Sequence, residues 1–234
     1  ILFEVQRLLL VLPALPHDLT APAVHTRARR IIVLDTETTG VQRYDRIVTL
    51  GAVRLEGSEV GKALHLVFDP RKDSHPEAYA IHGWCDWTTR YQDLFADLAP
   101  RIFAWLSWAD EIVAHNAAFD MHYVQRELRK AEVGQINQPV LCTMEMSRSK
   151  WRGESARLDD CLRRIGLARQ GKRHGALEDA ALTAGLYTCL SGQKSRLMGL
   201  LAKAKRWPPP SNAKHAPPRP AGELPRRSPK RPRR

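Results

Sequence analysis

The order of the apolar segments predicts an α/β fold, a sandwich of helices around a mixed sheet. Three strand-like runs come first, and helical and strand-like segments then alternate along the chain. The first run, Ile31–Leu34, is continuous and rich in β-branched residues, which is typical of a strand buried on both faces. Three strands followed by alternating helices and strands favour a sheet that is covered by helices.

The predicted elements occupy most of the chain between residues 31 and 190. The spacing of apolar residues predicts five strands, at Ile31–Leu34, Ile47–Leu55, Ala63–Phe68, Glu111–His115 and Val140–Thr143. Helical periodicity predicts four helices, at Leu94–Trp108, Ala118 to about Glu132, Leu158–Ile165 and Ala176–Leu190. We therefore expect one domain over residues 29–192, preceded by an N-terminal extension (1–28) and followed by a linker or helical extension (193–206).

The positive charge is concentrated near the C-terminus. The 234 residues contain 37 Lys and Arg against 25 Asp and Glu, a net charge of +12, and residues 207–234 alone contribute +7. That segment holds nine prolines in 28 residues, which predicts a disordered Pro/Arg-rich basic tail because it has little apolar surface to bury. Residues 31–206 carry only +3, so basicity alone does not indicate that the globular part binds nucleic acid.

The cysteines indicate a reduced, cytoplasmic protein. They stand at positions 85, 142, 161 and 189 without a CxxC pair, so neither a disulfide framework nor a structural zinc site is expected. The apolar run Leu8–Leu12 is too short to span a bilayer, and we expect no membrane association.

An acidic pair follows the first predicted strand. Asp35 and Glu37 are two residues apart, so on an extended backbone both carboxylates point to the same side, while Thr36 points to the other. Two carboxylates side by side suit Mg²⁺ or Mn²⁺, which prefer hard oxygen ligands. Taken alone, such a pair is a weak signal, because polar residues often follow a strand.

Two further segments combine polar residues with a helix start. In His115–Asp120 (HNAAFD) the fourth strand leads into a helix, and Asp120 lies in the first turn, where the helix dipole favours an anion. In His174–Asp179 (HGALED) the histidine lies in a loop and Asp179 in the helix that follows. By themselves, Asp120 is more simply a helix N-terminal acid and His174 a solvated loop residue.

Together these segments resemble the motifs of the DEDDh 3′–5′ exonucleases, which have a ribonuclease H-like fold. The resemblance extends to the epsilon proofreading subunits of bacterial DNA polymerase III and spans roughly residues 29–192. It rests on four blocks in the same order, Ile31–Gly40 (IIVLDTETTG), Pro76–Gly83 (PEAYAIHG), His115–Asp120 and His174–Asp179. It implies a three-layer sandwich with a mixed five-stranded sheet.

The resemblance also implies a mechanism, two-metal hydrolysis that releases 5′-nucleoside monophosphates from 3′ ends. Two Mg²⁺ or Mn²⁺ ions are expected per site, with Asp35, Glu37, Asp120 and Asp179 as ligands. His174 is expected to be the general base, a role that suits an ordinary imidazole pKa near 6.5. Four positions are implied to contact the substrate, namely Thr38, Glu77, His82 and Asn116.

The expected partners follow from the same resemblance. Single-stranded or frayed DNA 3′ ends are the expected substrate, and a replicative DNA polymerase subunit is a candidate partner in proofreading or repair. The stretch Gln193–Met198 occupies the place of the clamp-binding peptide but lacks its closing aromatic residue and carries two cations, which argues against clamp binding.

Two alternative functions are also compatible with the sequence. One is an RNA-trimming 3′–5′ exoribonuclease of the same fold, because the catalytic residues would be the same. The other is a nucleic-acid-binding accessory module that acts through its basic tail. The PEAYAIHG block favours the DNA exonuclease, and the presence of every expected catalytic position argues against the accessory module.

Overall fold

The computed structural model describes residues 28–56, 59–192, 201, 207–222 and 227. Within them a five-stranded sheet has the order β3-β2-β1-β4-β5. The pairs β1–β2 and β2–β3 are antiparallel, whereas β1–β4 and β4–β5 are parallel, which confirms the predicted mixed sheet. The strands are β1 (Arg30–Thr38), β2 (Ile47–Glu56), β3 (Glu59–Val67), β4 (Glu111–Ala114) and β5 (Val140–Cys142).

The central strand β1 is buried on both faces, as its apolar run predicts. Ile32 and Leu34 belong to the core between the sheet and one helical layer, whereas Ile31 and Val33 belong to the core on the opposite face. All four side chains are at most 1% exposed. Helices therefore cover both faces, and the molecule has the three layers expected from the sequence.

Seven helices are present in the described part of the chain. The first core contains residues of α3 and α4, and the second contains residues of α6 and α7. Twelve of the fifteen residues of α7 are buried, so this helix is the central element of its layer. The helices are α1 (Pro76–His82), α2 (Asp86–Thr89), α3 (Phe95–Leu106), α4 (Ala117–Lys130), α5 (Thr143–Lys150), α6 (Leu158–Arg164) and α7 (Ala176–Leu190).

Three of these helices were not predicted from the sequence. The helices α1 and α2 are too short to show a clear apolar period, and α5 is largely polar. Helix α1 nevertheless carries local signals, since Pro76 occupies its first turn and Gly83 ends it at φ 72°, in the left-handed region. The strand β1 is also longer than predicted and includes Asp35 and Glu37.

A glycine in β2 lets the sheet and α7 approach closely. Gly51 pairs with Asp35 on β1 and lies directly beneath the start of α7. A Cβ atom at this position would stand 2.2 Å from the carbonyl carbon of Ala176 and from the backbone nitrogen of Leu177. The first turn of α7 is therefore held against the sheet next to Asp35.

The described part of the C-terminal tail differs from the disordered segment that its composition predicts. Residues 207–222 lie against the body of the protein, along the edge strand β3 and near α2. The Asn212 side chain accepts a hydrogen bond from Val67 N at 2.9 Å and donates one to Val67 O at 2.7 Å. The tail thus satisfies backbone groups that an edge strand would otherwise leave unpaired. The prolines and charges of the sequence do not reveal this contact.

Other expectations fall on residues that the structure does not describe. The extension over residues 1–27 and the stretch Gln193–Met198 both lie outside the described ranges. Where helices are described, none combines the length and the apolar character that crossing a bilayer requires.

Candidate active site

Strand β1 supplies two carboxylates to one face of the sheet. Because side chains alternate along a strand, Asp35 and Glu37 continue the face of Ile31 and Val33, which is the face that α7 covers. Glu37 is 7% exposed, and its Oε1 atom is buried without a hydrogen-bond partner. The sequence prediction that both carboxylates share one side is consistent with this arrangement.

Asp120 reaches the end of the same strand from α4, a helix of the other layer, and its charge raises the pKa of Asp35. Asp120 Oδ1 accepts hydrogen bonds from Thr36 N at 2.9 Å and from Thr36 Oγ1 at 2.7 Å. The side chain is 3% exposed. A helix N-terminal acid that served only the helix dipole would face solvent, so the burial and the contact with β1 favour the functional interpretation of Asp120.

The loop before α7 and its first turn complete the cluster. Ligand atoms of Glu37, His174 and Asp179 all lie within 4.8 Å of one another. His174 Nδ1 is 3.4 Å from Asp179 Oδ2, and the backbone nitrogen of His174 donates to Ile81 O at 2.9 Å. The histidine loop is therefore attached to the end of α1, and Asp179 is 2% exposed beneath it.

The carboxylates shift one another's proton affinity. Burial raises the pKa of Asp35 well above its ordinary value, and the neighbouring charges of Asp120 and Glu37 raise it further. Burial raises the pKa of Glu37 to about 8, an effect that Arg169 opposes. Burial also raises the pKa of Asp120 to about 7, although the hydrogen bonds from Thr36 act in the other direction. The ionised carboxylates would therefore be an excess of buried negative charge, which a cation would stabilise.

Arg169 is the residue that sequence reasoning missed. One guanidinium nitrogen, Nη1, contacts Asp179 Oδ1, and Nη2 is 2.9 Å from Asp159 Oδ1. The side chain is only 6% exposed. A single arginine in the loop Leu167–Gly175 carries no motif, so nothing in the sequence distinguishes it from the neighbouring surface cations.

The four predicted substrate residues occupy different environments. Glu77 in the first turn of α1 and Asn116 before α4 are exposed, and Asn116 has a φ of 64°, which is uncommon for a residue other than glycine. Thr38 is buried and donates its hydroxyl to Gly40 O at 2.7 Å. His82 is 6% exposed, and burial lowers its pKa to about 4.

His82 lies close to the carboxylate site. The backbone of Thr38 and the charge of Arg173 both influence its pKa, so the end of α1 lies beside the end of β1. Its Nδ1 accepts a hydrogen bond from Trp84 N at 2.9 Å, which leaves a neutral ring with its proton on Nε2. The structure thus brings Thr38 and His82 together, and all four residues remain predictions as substrate contacts.

Comparisons with known proteins agree on the family to which the similar proteins belong. Residues 32–187 match the exonuclease family. The DNA polymerase III epsilon subunit of Rickettsia felis is 32% identical over 183 residues, which cover 75% of this chain and 80% of that protein. The epsilon subunit of Escherichia coli K12 is 30% identical over 184 residues, which cover 74% and 75% of the two chains.

Solved structures agree in fold. Exonuclease X in complex with 5′-overhanging duplex DNA superposes with a TM-score of 0.56 at 26% identity, over 72% of this chain and 96% of that chain. Apo exonuclease I has a TM-score of 0.61 at 18% identity and covers 74% and 44% of the two chains, a likeness of fold alone. These neighbours confirm the ribonuclease H-like architecture. With a family match over residues 32–187 and relatives at 30–32% identity over about three quarters of its length, this protein belongs to the exonuclease family.

Proposed function

We propose that this protein removes 5′-nucleoside monophosphates from DNA 3′ ends, as a metal-dependent 3′–5′ exonuclease in proofreading or repair. The observation that carries the proposal is the convergence of buried carboxylates from β1, α4 and α7 beside a loop histidine. The similar proteins named as DNA polymerase III epsilon subunits, and the exonuclease X complex with duplex DNA, support DNA as the substrate.

The carboxylate cluster fits hard divalent cations. Glu37 Oε1 is buried and accepts no hydrogen bond, and burial raises the pKa of Asp35, with a further increase from two neighbouring carboxylates. We assign Asp35, Glu37, Asp120 and Asp179 as the ligands of two Mg²⁺ or Mn²⁺ ions. Bound there, the ions would polarise the scissile phosphate and lower the pKa of an attacking water molecule.

His174 is assigned as the general base. Burial lowers its pKa, and the positive charge of Arg169 lowers it further, so the imidazole is neutral at pH 7. A proton on Nδ1, which faces Asp179 Oδ2 at 3.4 Å, leaves Nε2 able to accept a proton from water. The backbone bond from His174 to Ile81 O links the base to α1, the helix that carries two of the proposed substrate residues.

The substrate end of the site is assigned to Thr38, Glu77, His82 and Asn116. Glu77 and Asn116 are exposed and can contact a nucleotide directly. His82 and Thr38 are buried, and we assign them a supporting role. They would shape and position the surface on which the terminal nucleotide rests.

The RNA-trimming alternative shares this entire machinery and is distinguished only by substrate. An accessory module that acts through its basic tail is disfavoured, because every expected catalytic position is present. A replicative polymerase subunit remains the proposed partner and the cytoplasm the proposed location. The four cysteines are free, as a reduced compartment would keep them.

A turnover assay tests the proposal. Single-stranded DNA and RNA of the same sequence, labelled at the 3′ end, are incubated with and without Mg²⁺ or Mn²⁺. We expect release of labelled 5′-mononucleotide from DNA, only with metal. Faster release from RNA would support the exoribonuclease, and no release from either substrate would contradict the proposal.

A matched pair of variants ties the activity to the site. Asp35→Ala should abolish release while the protein stays folded, as judged by circular dichroism. Glu145→Ala removes an exposed carboxylate from α5 and should leave release unchanged. Full activity of folded Asp35→Ala in excess Mg²⁺ would refute the metal assignment.

A further inference from the structure

Arg169 places a positive charge inside the carboxylate site. Its guanidinium contacts Asp179, and the same charge lowers the pKa values of Asp35 and Glu37. The side chain is 6% exposed, so water screens this interaction far less than it screens a surface ion pair. Arg169 is therefore a cation that compensates the buried acids.

A second carboxylate holds the other edge of the same guanidinium. Asp159 Oδ1 lies 2.9 Å from Nη2, and the Asp159 side chain is 56% exposed. Asp159 thus stands at the rim of the site, whereas Asp179 stands inside it at 3% side-chain exposure. The guanidinium spans the boundary between the buried cluster and the surface.

The guanidinium of Arg169 and a metal ion compete for one oxygen of Asp179, Oδ1. A divalent cation that binds Asp179 Oδ1 needs the position that Nη1 holds, and two cations in contact would repel strongly in a buried site. We propose that Arg169 is a resident counter-ion of the site, which neutralises Asp179 in the metal-free protein and moves onto Asp159 when a divalent cation binds. This inference rests on the proposed metal site and adds to it a competitor built into the chain.

The proposal predicts that Arg169, as a competitor for Asp179, weakens metal binding. Removing it leaves Asp179 without its partner, so the metal-free protein loses stability and the metal-bound protein loses less. Arg169→Gln should lower the melting temperature without metal and tighten Mn²⁺ binding by about tenfold or more, as expected when a buried contact ion no longer has to be displaced. Arg169→Lys keeps the charge and should bind Mn²⁺ with nearly the wild-type affinity.

Calorimetric titration of the full chain with Mn²⁺ at constant pH provides the test, and the readout does not depend on turnover. Arg163→Gln is the matched control, because Arg163 also pairs with an acid of α6, Asp160, but has a side chain that is 75% exposed. Tighter Mn²⁺ binding by Arg169→Gln and unchanged binding by Arg163→Gln would support the proposal. Unchanged or weaker binding by Arg169→Gln would overturn it and would assign Arg169 to the phosphate of the substrate or to the fold.

Two additional proteins separate the possible failures. If wild type and Asp35→Ala bind Mn²⁺ equally, the metal site itself is refuted, and the Arg169 inference falls with it. If only the Arg169 prediction fails, the metal site stands. If Arg169→Gln does not fold without metal, the Asp159→Asn variant provides the test instead. It removes the carboxylate that receives the displaced guanidinium and must weaken Mn²⁺ binding, and unchanged or tighter binding would overturn the proposal.

Discussion

Replacing Gly51 by alanine should damage catalysis through the position of α7. The added Cβ would stand 2.2 Å from the backbone of Ala176 and Leu177, and ordinary contact begins at 3.4 Å. The clash is with backbone atoms, which cannot avoid it by a change of side-chain rotamer. The first turn of α7 must therefore move away from the sheet by about 1.2 Å. That turn carries Asp179, whereas Gly51 itself pairs with Asp35 on the opposite side of the site.

Two effects are expected from this displacement. Overpacking a tight contact costs about 1–3 kcal/mol of folding stability. Moving a catalytic group by about 1 Å costs about 10²-fold in turnover, since the ligands no longer converge. The first effect is measured by thermal melting, and the second by kcat on 3′-labelled single-stranded DNA with saturating metal.

A second glycine provides the control. Gly61 lies in β3, and its nearest neighbour for an added Cβ is Arg54 at 3.5 Å, an ordinary contact. Gly61→Ala should therefore melt and turn over like wild type. Wild-type kcat in a folded Gly51→Ala protein would refute the argument that close packing of α7 on β2 positions the site.

Three further predictions follow from the site and the tail. His174→Ala should slow turnover by about 10²–10⁴-fold with little change in Mn²⁺ affinity measured calorimetrically; a large loss of affinity would make His174 a metal ligand instead. The pKa of Glu37 is raised to about 8 in the folded protein, so the native state binds the extra proton, and the metal-free melting temperature should fall as pH rises from about 5 to 8. Saturating Mn²⁺ should reduce that slope, and a melting temperature that rises with pH in the absence of metal would contradict the assignment. Asn212→Ala removes both hydrogen bonds to Val67 and should cost about 1 kcal/mol per bond in stability without changing kcat, which thermal melting and the turnover assay test together.

The order of the main strands and helices along the chain, and the shared side of Asp35 and Glu37, could be predicted from local pattern. The apolar run Ile31–Leu34 specifies a strand buried on both faces, and alternation along it places Asp35 and Glu37 on one side. The helix α7 has the bounds that were predicted, because its apolar residues and Gly192 mark it clearly. These features depend on neighbours in the chain, and a sequence displays such neighbours directly.

Other features depend on residues far apart in the chain, and only the tertiary structure decided them. Asp120 bonds to Thr36 across 84 positions, which turns an ordinary helix N-terminal acid into a buried member of the cluster. Asn212 pairs with Val67 across 145 positions, so a segment whose composition predicts disorder lies along the edge of the sheet. Arg169 belongs to no motif, and its role follows from a burial that the fold alone creates. Hydrophobic period and turn chemistry determine which elements form, whereas the energy of a buried charge depends on what the completed fold brings next to it.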